Sequence, residues 1–401
     1  MDFQKSYDIV VAGGGIAGVA AALEAARSGF KTALVEKTVF FGGLATTGLI
    51  YVYLPLCDGH GRQVIFGIAE ELLHLSLRYG PGTVPAGWPG GAPSHQPAGR
   101  YLVRFSPAAF ILALDEALGA AGVDLWLDTL ACLPVVEGGR VVALEVENKS
   151  GRGRLSAGCV IDATGDADLV KRSGSPCVEQ DNWMSYWLHQ VSKEKLATAL
   201  ESERPDDLLQ ATCLRLGAND HGVGHPEGMR KFMGVDGKEV STFVLEGRRL
   251  LREYYQQQDN SRYEQFALTL PAMAQFRTTR RIVGLEAMVD GQMGLHRPSS
   301  VGLTGDWRKP GPAWEIPYGA LVPAQVGGIL AAGRCIDSRG DAWQVTRVIP
   351  PAALTGQAAG IAAGLSIRLG VDPCQVPAAQ VQAEMQKREI VYHIADLFTK
   401  E

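Results

Sequence analysis

The stretch DIVVAGGGIAGVAAALEAARSGFKTALVEK, residues 8–37, decides the fold of this chain. Residues 9–11 form a short β-branched run, and glycines follow at once. Residues 17–28 are mostly small and predict a closely packed helix, which Gly29 ends. A second strand is predicted at 31–35. The succession of strand, glycine turn, helix and strand is typical of a dinucleotide-binding unit.

Three glycines in this stretch, Gly13, Gly15 and Gly18, have the GxGxxG spacing. The first allows the tight turn, the second lets a pyrophosphate approach the backbone, and the third lets helix and strand pack closely. The helix N-terminus then directs unpaired N–H groups and the positive end of its dipole at the phosphates. Such glycines also serve ordinary tight turns, so the spacing alone is weak evidence.

Glu36 ends the second predicted strand, where a carboxylate can accept hydrogen bonds from the ribose hydroxyls of the adenosine. An acid at this position disfavours a 2′-phosphate and therefore NADP. Together with the flanking strands, Glu36 makes dinucleotide binding the favoured interpretation. These residues do not separate NAD from FAD.

Length and charge restrict the other classes of function. A chain of 401 residues predicts two domains. The net charge of −5 and the lack of a long basic run argue against nucleic acid or an anionic membrane as the main partner. Six residues before the first strand are too few for a secretory signal, and no apolar run has the length of a membrane span, so a cytoplasmic protein is expected. The oligomeric state stays open.

The seven cysteines contain no CxxC pair. This spacing disfavours a disulfide framework, an iron–sulfur cluster, a zinc knuckle and a redox-active dithiol. We therefore expect seven structural thiols and no metal site.

Further glycine-containing segments follow the first unit. They are FGGLATTG (41–48), VIDATGDADL (160–169), FRTTRRIVG (276–284), IPYGALVP (316–323), LAAGRCIDS (330–338) and RVIPPAALTGQAAG (347–360). In family order and spread over nearly the whole chain, these segments resemble those of the FAD-dependent oxidoreductases, which are related to glutathione-reductase-type and fumarate-reductase-type flavoproteins. The resemblance implies FAD rather than NAD.

The fold class implied is α/β, with a Rossmann-type FAD-binding domain of the glutathione reductase type and an inserted α+β cap domain for the substrate. Residues 1–178 and 310–401 would bind FAD, and residues 179–309 would form the cap. Some relatives attach their flavin through a histidine near the glycine doublet, whereas Phe40 and Phe41 stand before it here. Non-covalent FAD is therefore expected.

The resemblance also implies roles for individual residues. Glu36 would hold the ribose with Lys37 beside it, and Thr164, Gly165 and Asp166 would border the adenosine half of FAD. The full predicted FAD site is Gly13, Gly15, Ile16, Ala17, Gly18, Glu36, Lys37, Gly42, Gly43, Leu44, Ala45, Thr46, Arg104, Ala131, Ala163, Thr164, Gly165, Asp166, Gly333, Arg334, Asp337, Gly356 and Gln357.

Two glycine-containing features within this set can be interpreted from the residues alone. Gly42 and Gly43 let backbone lie against a bulky part of the cofactor, or they form only a turn. A helix predicted to start at 355–357 would direct its N-terminus, with Gly356 and Gln357, at N1 and O2 of the flavin, where it would stabilise the negative charge of the reduced state.

Hydride transfer needs a positioned substrate and a group that moves the accompanying proton. Arg277, Arg280 and Arg281 could clamp a carboxylate, or they could form ion pairs within the protein. We select Arg277 as the anchor. His189, which follows an aromatic strand, and Tyr318 are candidate proton carriers, although either could have a purely structural role. His60 and His296 are further histidines near the predicted site.

The predicted function is hydride transfer between a small organic substrate, such as a carboxylate, and FAD. No second GxGxxG follows residue 18, so electrons would come from the substrate or from an external carrier that docks. A flavoprotein that acts through protein contacts, with structural or sensory FAD, is one alternative, and a flavin-dependent monooxygenase is another. The loop 80–99, rich in Pro and Gly, could form a lid over the substrate or an ordinary surface loop.

Overall fold

The computed structural model describes residues 1–82, 84, 102–202, 205–258 and 262–398. Most of the predicted loop 80–99 lies outside these residues. The strands are β1 (Phe3–Ala12), β2 (Thr32–Val35), β3 (Val52–Tyr53), β4 (Val103–Arg104), β5 (Asp124–Trp126), β6 (Leu130–Glu137), β7 (Arg140–Asn148), β8 (Gly151–Asp162), β9 (Cys177–Glu179), β10 (Ser185–Ser192), β11 (Cys213–Gly217), β12 (Gln265–Thr269), β13 (Arg280–Ile282), β14 (Ser300–Thr304), β15 (Trp314–Pro317) and β16 (Ile329–Ala331).

Helices connect these strands and cover the main sheet. They are α1 (Ile16–Arg27), α2 (Ile68–Leu77), α3 (Pro107–Ala120), α4 (Asp168–Arg172), α5 (Lys193–Leu200), α6 (Pro205–Ala211), α7 (Gly237–Gln257), α8 (Gly340–Thr346), α9 (Ile349–Leu369) and α10 (Ala378–Lys387).

The main sheet has the order β5-β2-β1-β8-β7-β6, with β16 also paired to β8. Strands β5, β2, β1, β8 and β16 are parallel, and β7 and β6 continue the sheet as an antiparallel hairpin. Ala12 lies opposite both Val35 and Asp162, and Asp162 lies opposite Ala331. Four carboxyl ends therefore meet at one edge, which is where ligands bind in open α/β sheets. This sheet confirms the predicted α/β class.

Helices α1 and α9 pack closely against each other beside the sheet, since small residues line their contact. A Cβ atom on Gly356 of α9 would overlap the carbonyl oxygen of Ala17 in α1. Nearly the whole of α9 is buried, from Pro350 to Ser366. Such close packing lets two backbones form a firm support for the glycine turn between β1 and α1.

A second, three-stranded antiparallel sheet has the order β11-β10-β12. Helix α7 packs near it, with Phe243 of α7 in contact with the rings of Phe232 and Phe276. These elements all lie within the predicted cap, residues 179–309. Strand β13 from the end of that range pairs with β9, and β14 pairs with β15, so two small sheets join the insert to the rest of the chain. The domain boundaries remain predictions.

Three local predictions differ from the structure. From the sequence, the segments 123–127 and 140–147 resemble strands on either side of the EGG turn at 137–139 and predict a hairpin. The hairpin partner of β7 is instead β6, and β5 pairs with β2. The segment 205–217 predicts one amphipathic helix. In the structure α6 ends at Ala211, and 213–217 form β11, which pairs with β10. Helix α9 begins at Ile349 rather than near Thr355.

Among the described residues, no single helix has both the length and the apolar character that a membrane span needs. The helices α8 and α9 satisfy those criteria only as a pair, and they are bent by 85° relative to each other.

Candidate functional site: a cleft at the carboxyl edge of the sheet

The glycine turn between β1 and α1 forms one wall of a cleft. Gly13 has a φ of +100°, and a Cβ there would overlap the Ala163 backbone. A Cβ on Gly18 would overlap the Gly13 carbonyl oxygen. Gly15 differs, since a Cβ there would have no protein atom within 4 Å and would point into open space. Gly13 and Gly18 are thus required for packing, and Gly15 keeps the cleft open.

Glu36 lies at the end of β2 and also lines the cleft. One carboxylate oxygen accepts the Gly14 N–H at 2.7 Å, and the other accepts the Thr38 N–H at 2.8 Å. The side chain is nearly buried, so these two bonds fix its orientation. Carboxylate oxygens can accept more than one hydrogen bond, which leaves acceptor capacity for ribose hydroxyls.

The second glycine pair crosses the first turn. Gly42 has a φ of +104°, its N–H donates to the Gly14 carbonyl at 2.8 Å, and it forms a bridge with Gly15. Thr46 does not line the cleft, but its hydroxyl donates to the Phe41 carbonyl at 2.6 Å and its side chain packs on Gly42. The doublet is more than an isolated turn, because it presents backbone to the cleft beside Gly15.

Arg334 connects three segments at the cleft. Its Nε donates to the Gly165 carbonyl at 2.6 Å, one terminal nitrogen to the Phe276 carbonyl at 2.6 Å, and the other to Asp166 at 2.6 Å. Asp166 also accepts the Thr279 hydroxyl and does not line the cleft. Arg334 therefore links these three segments and also lines the cleft.

The cleft contains about 1150 Å³ of empty space, its open mouth included. Thr47, Met273 and the segment 347–349 line it as well. Most of the predicted FAD site faces this cleft, namely Gly13, Gly15, Ile16, Ala17, Glu36, Lys37, Gly42, Gly43, Leu44, Ala45, Ala131, Ala163, Thr164, Gly165, Gly333 and Arg334.

Seven predicted FAD residues are not among those that line the cleft. Gly18, Thr46 and Asp166 are described above, and the other four are Arg104, Asp337, Gly356 and Gln357. Asp337 is fully buried and accepts hydrogen bonds from Arg281 and the Gly284 N–H. The Gln357 amide donates to Glu24 and accepts the Ile68 N–H, and Gly356 packs on α1. Arg104 is in β4, away from the cleft lining. These four residues are therefore outside the described cleft lining, and their contact with the cofactor stays a prediction.

The sequence interpretation missed the true start of α9. Val348 and Ile349 line the cleft, so the helix N-terminus does face it, seven residues before Gly356. The signal was present in Pro350 and Pro351, since proline is favoured in the first turn of a helix. Arg347, directly before this helix, lines the cleft and was also missed.

Arg277, the selected substrate anchor, does not line the cleft. Its guanidinium donates to the carbonyls of Asn219 at 2.7 Å and Ala218 at 2.9 Å and to the Ser185 hydroxyl at 3.2 Å. Asp220 lies 3.6 Å from its Nε. Burial lowers the pKa of Arg277, and Asp220 opposes that shift. The donors of Arg277 are thus used within the insert, and its role as the substrate anchor stays a prediction.

The neighbouring arginines are also paired. Arg280 contacts Asp168 at 3.2 Å and Glu179 at 3.3 Å, and Arg281 contacts Asp337 at 2.6 Å. Of the two readings of this cluster, the structure therefore favours ion pairs.

The two proton-carrier candidates are likewise not among the residues that line the cleft. The His189 ring stacks on Tyr51 with centroids 4.4 Å apart, its Nδ1 lies 3.0 Å from the Thr212 hydroxyl, and burial lowers its pKa. The Tyr318 hydroxyl donates to the Pro373 carbonyl at 2.7 Å, and burial raises its pKa well above the ordinary value. Both side chains are packed among other elements, and their role in proton transfer stays a prediction.

Arg347 is a second arginine that borders both the cleft and the insert. Its Nε donates to Gln344 at 2.7 Å, and a terminal nitrogen contacts Asp220 at 3.0 Å. Burial lowers the pKa of Arg347 to about 10, so it stays charged at neutral pH. Asp220 serves both Arg277 and Arg347, and one carboxylate cannot neutralise both guanidinium groups.

Comparison with known proteins agrees with this geometry. Residues 8–240 and 238–385 match the family described as FAD dependent oxidoreductase. A thioredoxin reductase from Ureaplasma parvum serovar 3 is 36% identical over 74 residues, which are 18% of this chain and 24% of that protein. The chain thus matches about a quarter of the length of that curated relative.

Two solved structures are similar to this chain at low sequence identity. A geranylgeranyl bacteriochlorophyll reductase-like protein from Thermoplasma acidophilum is 15% identical, covers 99% of this chain and 87% of its own, and has a TM-score of 0.45. A flavocytochrome c3 fumarate reductase is 13% identical, covers 89% and 78%, and has a TM-score of 0.41. Because the family match extends over nearly the whole chain, this protein belongs to the FAD dependent oxidoreductases: it is an enzyme, and its cofactor is FAD.

Proposed function

We propose that this enzyme transfers a hydride between non-covalently bound FAD and a small organic substrate that carries a carboxylate. The single observation that carries the proposal is the continuous cleft that joins Glu36, the open side of Gly15 and the N-terminus of α9. Residues 1–178 and 310–401 would hold FAD, and residues 179–309 would cover the substrate.

The residues present fit an extended dinucleotide. The absence of a Cβ at Gly15 leaves backbone exposed where a pyrophosphate can approach, and the first turn of α1 supplies N–H groups there. Glu36 would accept from the ribose at one end. At the other end, the N-terminus of α9 and Arg347 would favour negative charge. Bound FAD supplies a site that accepts or donates a hydride.

Arg347 takes the role in substrate binding for which Arg277 was first selected. It lines the cleft, it is charged, and it shares its carboxylate partner with Arg277. A substrate carboxylate could therefore accept a hydrogen bond from Arg347 without leaving Asp220 unpaired. Met273 and Thr47 lie on the same cleft and would exclude water around the bound substrate.

The test measures flavin absorption and its loss under anaerobic conditions with a panel of small carboxylates, their neutral amides, NADH and NADPH. We expect a yellow protein that a carboxylate reduces and its amide does not. Arg347→Gln should retain FAD and slow reduction at least about 100-fold, the loss typical of a charged contact in a dry site. Arg277→Gln is the matched control, since it shares Asp220 but not the cleft.

The outcomes separate the alternatives. Reduction by NADH or NADPH alone would replace the substrate-driven scheme with one in which a nicotinamide supplies electrons. Incorporation of oxygen from O₂ into the product would assign a monooxygenase. FAD that no compound reduces would favour a structural or sensory flavin. Equal losses in the two arginine variants would overturn the role given to Arg347.

A further inference from the structure

We propose that His296, Glu315 and His393 bind a divalent transition-metal ion of the Zn²⁺ class. The three residues come from separate parts of the chain: His296 precedes β14, Glu315 is in β15, and His393 lies in the segment after α10. One donor atom from each lies within 4.8 Å of the others. None of the three lines the cleft, so the site is independent of the proposed function.

The charge of the Glu315 carboxylate favours a cation at this site. The Glu315 side chain is only 1% exposed. Within the described part of the chain, its ion-pair partners are the two imidazoles, and no lysine or arginine side chain pairs with it. Arg297 gives Glu315 only its backbone N–H, because its guanidinium binds Glu286. A buried carboxylate needs a compensating cation, and this one has two nitrogen ligands beside it instead of a fixed cation.

The distances between the three donor atoms are close to those around a tetrahedral ion. The Glu315 Oε2 lies 3.0 Å from Nδ1 of His393 and 3.5 Å from Nδ1 of His296. A tetrahedral Zn²⁺ with bonds of about 2.0–2.2 Å holds its ligand atoms roughly 3.3–3.6 Å apart. The centroids of the two imidazole rings are 4.5 Å apart and the ring planes are inclined by 50° to each other. Small shifts would bring the three donors onto one ion.

Two backbone N–H groups fix the orientation of the Glu315 carboxylate. Glu315 Oε1 accepts the Ile394 N–H at 2.9 Å, and Oε2 accepts the Arg297 N–H at 2.6 Å. Backbone donors that hold a ligating carboxylate in place are typical of metal sites. The side chain of His296 is 63% exposed, which gives an ion access from solvent and leaves room for a water ligand.

Such an ion would fasten the segment after α10 to β15 and to the residues before β14. The segment that carries His393 already contacts β14, since the Ser300 hydroxyl donates to the Tyr392 carbonyl at 2.5 Å. A bond from His393 through the ion to Glu315 and His296 would link three segments that are distant in sequence. The inferred role is structural, with ligands of the two-imidazole, one-carboxylate type.

The experiment uses the full chain with FAD and without a histidine tag. After dialysis against a chelator, Zn²⁺ is added and binding is measured by calorimetry and by metal content after gel filtration. We expect one equivalent in the wild type. His296→Gln and His393→Gln should each weaken binding at least about 100-fold, and His74→Gln, an exposed histidine on α2, should leave it unchanged.

The result that would overturn the proposal is equally direct. A hydrogen bond between His393 and Glu315 alone would not require His296. No stoichiometric binding by the wild type, or binding that survives in His296→Gln, would therefore overturn the proposed site. Equal effects of His74→Gln and His296→Gln would assign the metal to unspecific surface histidines.

Discussion

The cleft and the insert use polar groups in opposite ways. At the cleft, the glycine turn and the doublet at 42–43 present backbone toward open space, and Gly15 has no protein atom where its side chain would be. In the insert, the guanidinium of Arg277 is bound by two carbonyls and a hydroxyl of the same region. One region leaves binding capacity for a ligand, whereas the other consumes it in packing.

The difference shows what makes a polar segment available for function. A long side chain can turn to find a partner inside the protein, and the buried guanidinium of Arg277 would be costly without one. Backbone held by glycine at a sheet edge has no such freedom, so its N–H groups remain directed at the cleft. Density of arginines in a sequence is therefore weaker evidence of a binding site than spacing of glycines.

The largest expected effect comes from a change at Gly18, which packs against the glycine turn that forms one wall of the cleft. Gly18→Ala adds a methyl group that would overlap the Gly13 carbonyl oxygen in a fully packed region. Because backbone must move to make room, we expect a loss of at least about 3 kcal/mol in the free energy of unfolding, and loss of FAD with it. Urea unfolding and flavin content measure both.

A matched control for this loss lies on another helix. Gly119 of α3 is exposed, and a Cβ there would meet nothing within 4 Å. Gly119→Ala should raise the free energy of unfolding by roughly 0.5–1 kcal/mol through its helix preference. Destabilisation of similar size in both variants would contradict the packing role of Gly18.

The next effect separates binding from folding. Gly15 has a φ of −68° and a ψ of 177°, which any residue adopts, and its Cβ would enter the cleft. Gly15→Val should therefore keep the free energy of unfolding of the FAD-free protein within about 1 kcal/mol of the wild type and weaken FAD binding at least about 100-fold. Fluorescence titration with FAD measures the affinity.

Glu36→Gln serves as a graded comparison for Gly15→Val. The amide retains an oxygen acceptor, so FAD affinity should fall by roughly tenfold, less than in the valine variant. Normal flavin content in Gly15→Val would show that the cofactor is held elsewhere.

The predictability of the two regions follows the same division. Strand β1, helix α1 and strand β2 follow from a local pattern, and the structure confirms them because turn, helix and strand are all specified within thirty residues. The contact between Gly13 and the Ala163 backbone joins distant segments. The glycine in the sequence nevertheless indicates a position where backbone packs closely. Backbone requirements are thus visible in the sequence.

Side-chain partners are not visible in this way. The hydrogen-bond partners of Arg277, Asp337 and Gln357 depend on which segments the fold brings near. Each of the three side chains binds a partner inside the protein. The start of α9 was misplaced for a different reason: the helix is small and apolar along its length, so periodicity gives no boundary. Strand β11 forms because β10 offers an unpaired edge, which is a tertiary effect.

A moderate effect tests the role of Arg277 as a structural link. Arg277→Ala removes three hydrogen bonds and leaves the Asn219 and Ala218 carbonyls without this donor. We expect a loss of about 2–4 kcal/mol in the free energy of unfolding, with little recovery in Arg277→Lys, because an ammonium cannot reach the same acceptors. Arg252→Ala, an exposed arginine of α7, should change it by less than about 0.5 kcal/mol.

Flavin reduction measured on the same preparations decides between the two roles of Arg277. Under the structural role, the fraction of folded protein falls and the reduction rate per bound FAD stays the same. A rate per bound FAD that falls with full retention of stability would restore Arg277 as a substrate anchor. Such a result would remove the contrast between the insert and the cleft.

The smallest expected effect concerns His189 and appears only as a pH dependence. Burial lowers the pKa of this imidazole in the folded state, where its ring stacks on Tyr51 and Nδ1 meets the Thr212 hydroxyl. In the unfolded chain the pKa is about 6.5, so the unfolded state takes up the proton first as the pH falls. The stability that depends on neutral His189 is fully present above that value and is lost as the pH falls through the folded pKa.

The wild type should therefore exceed His189→Gln in free energy of unfolding by roughly 1 kcal/mol at pH 7.5, and the difference should shrink at pH 5. Urea unfolding at both pH values measures this change, and flavin reduction at pH 7.5 should be the same in both proteins. A slower reduction with an unchanged pH profile of stability would instead return His189 to the reacting site.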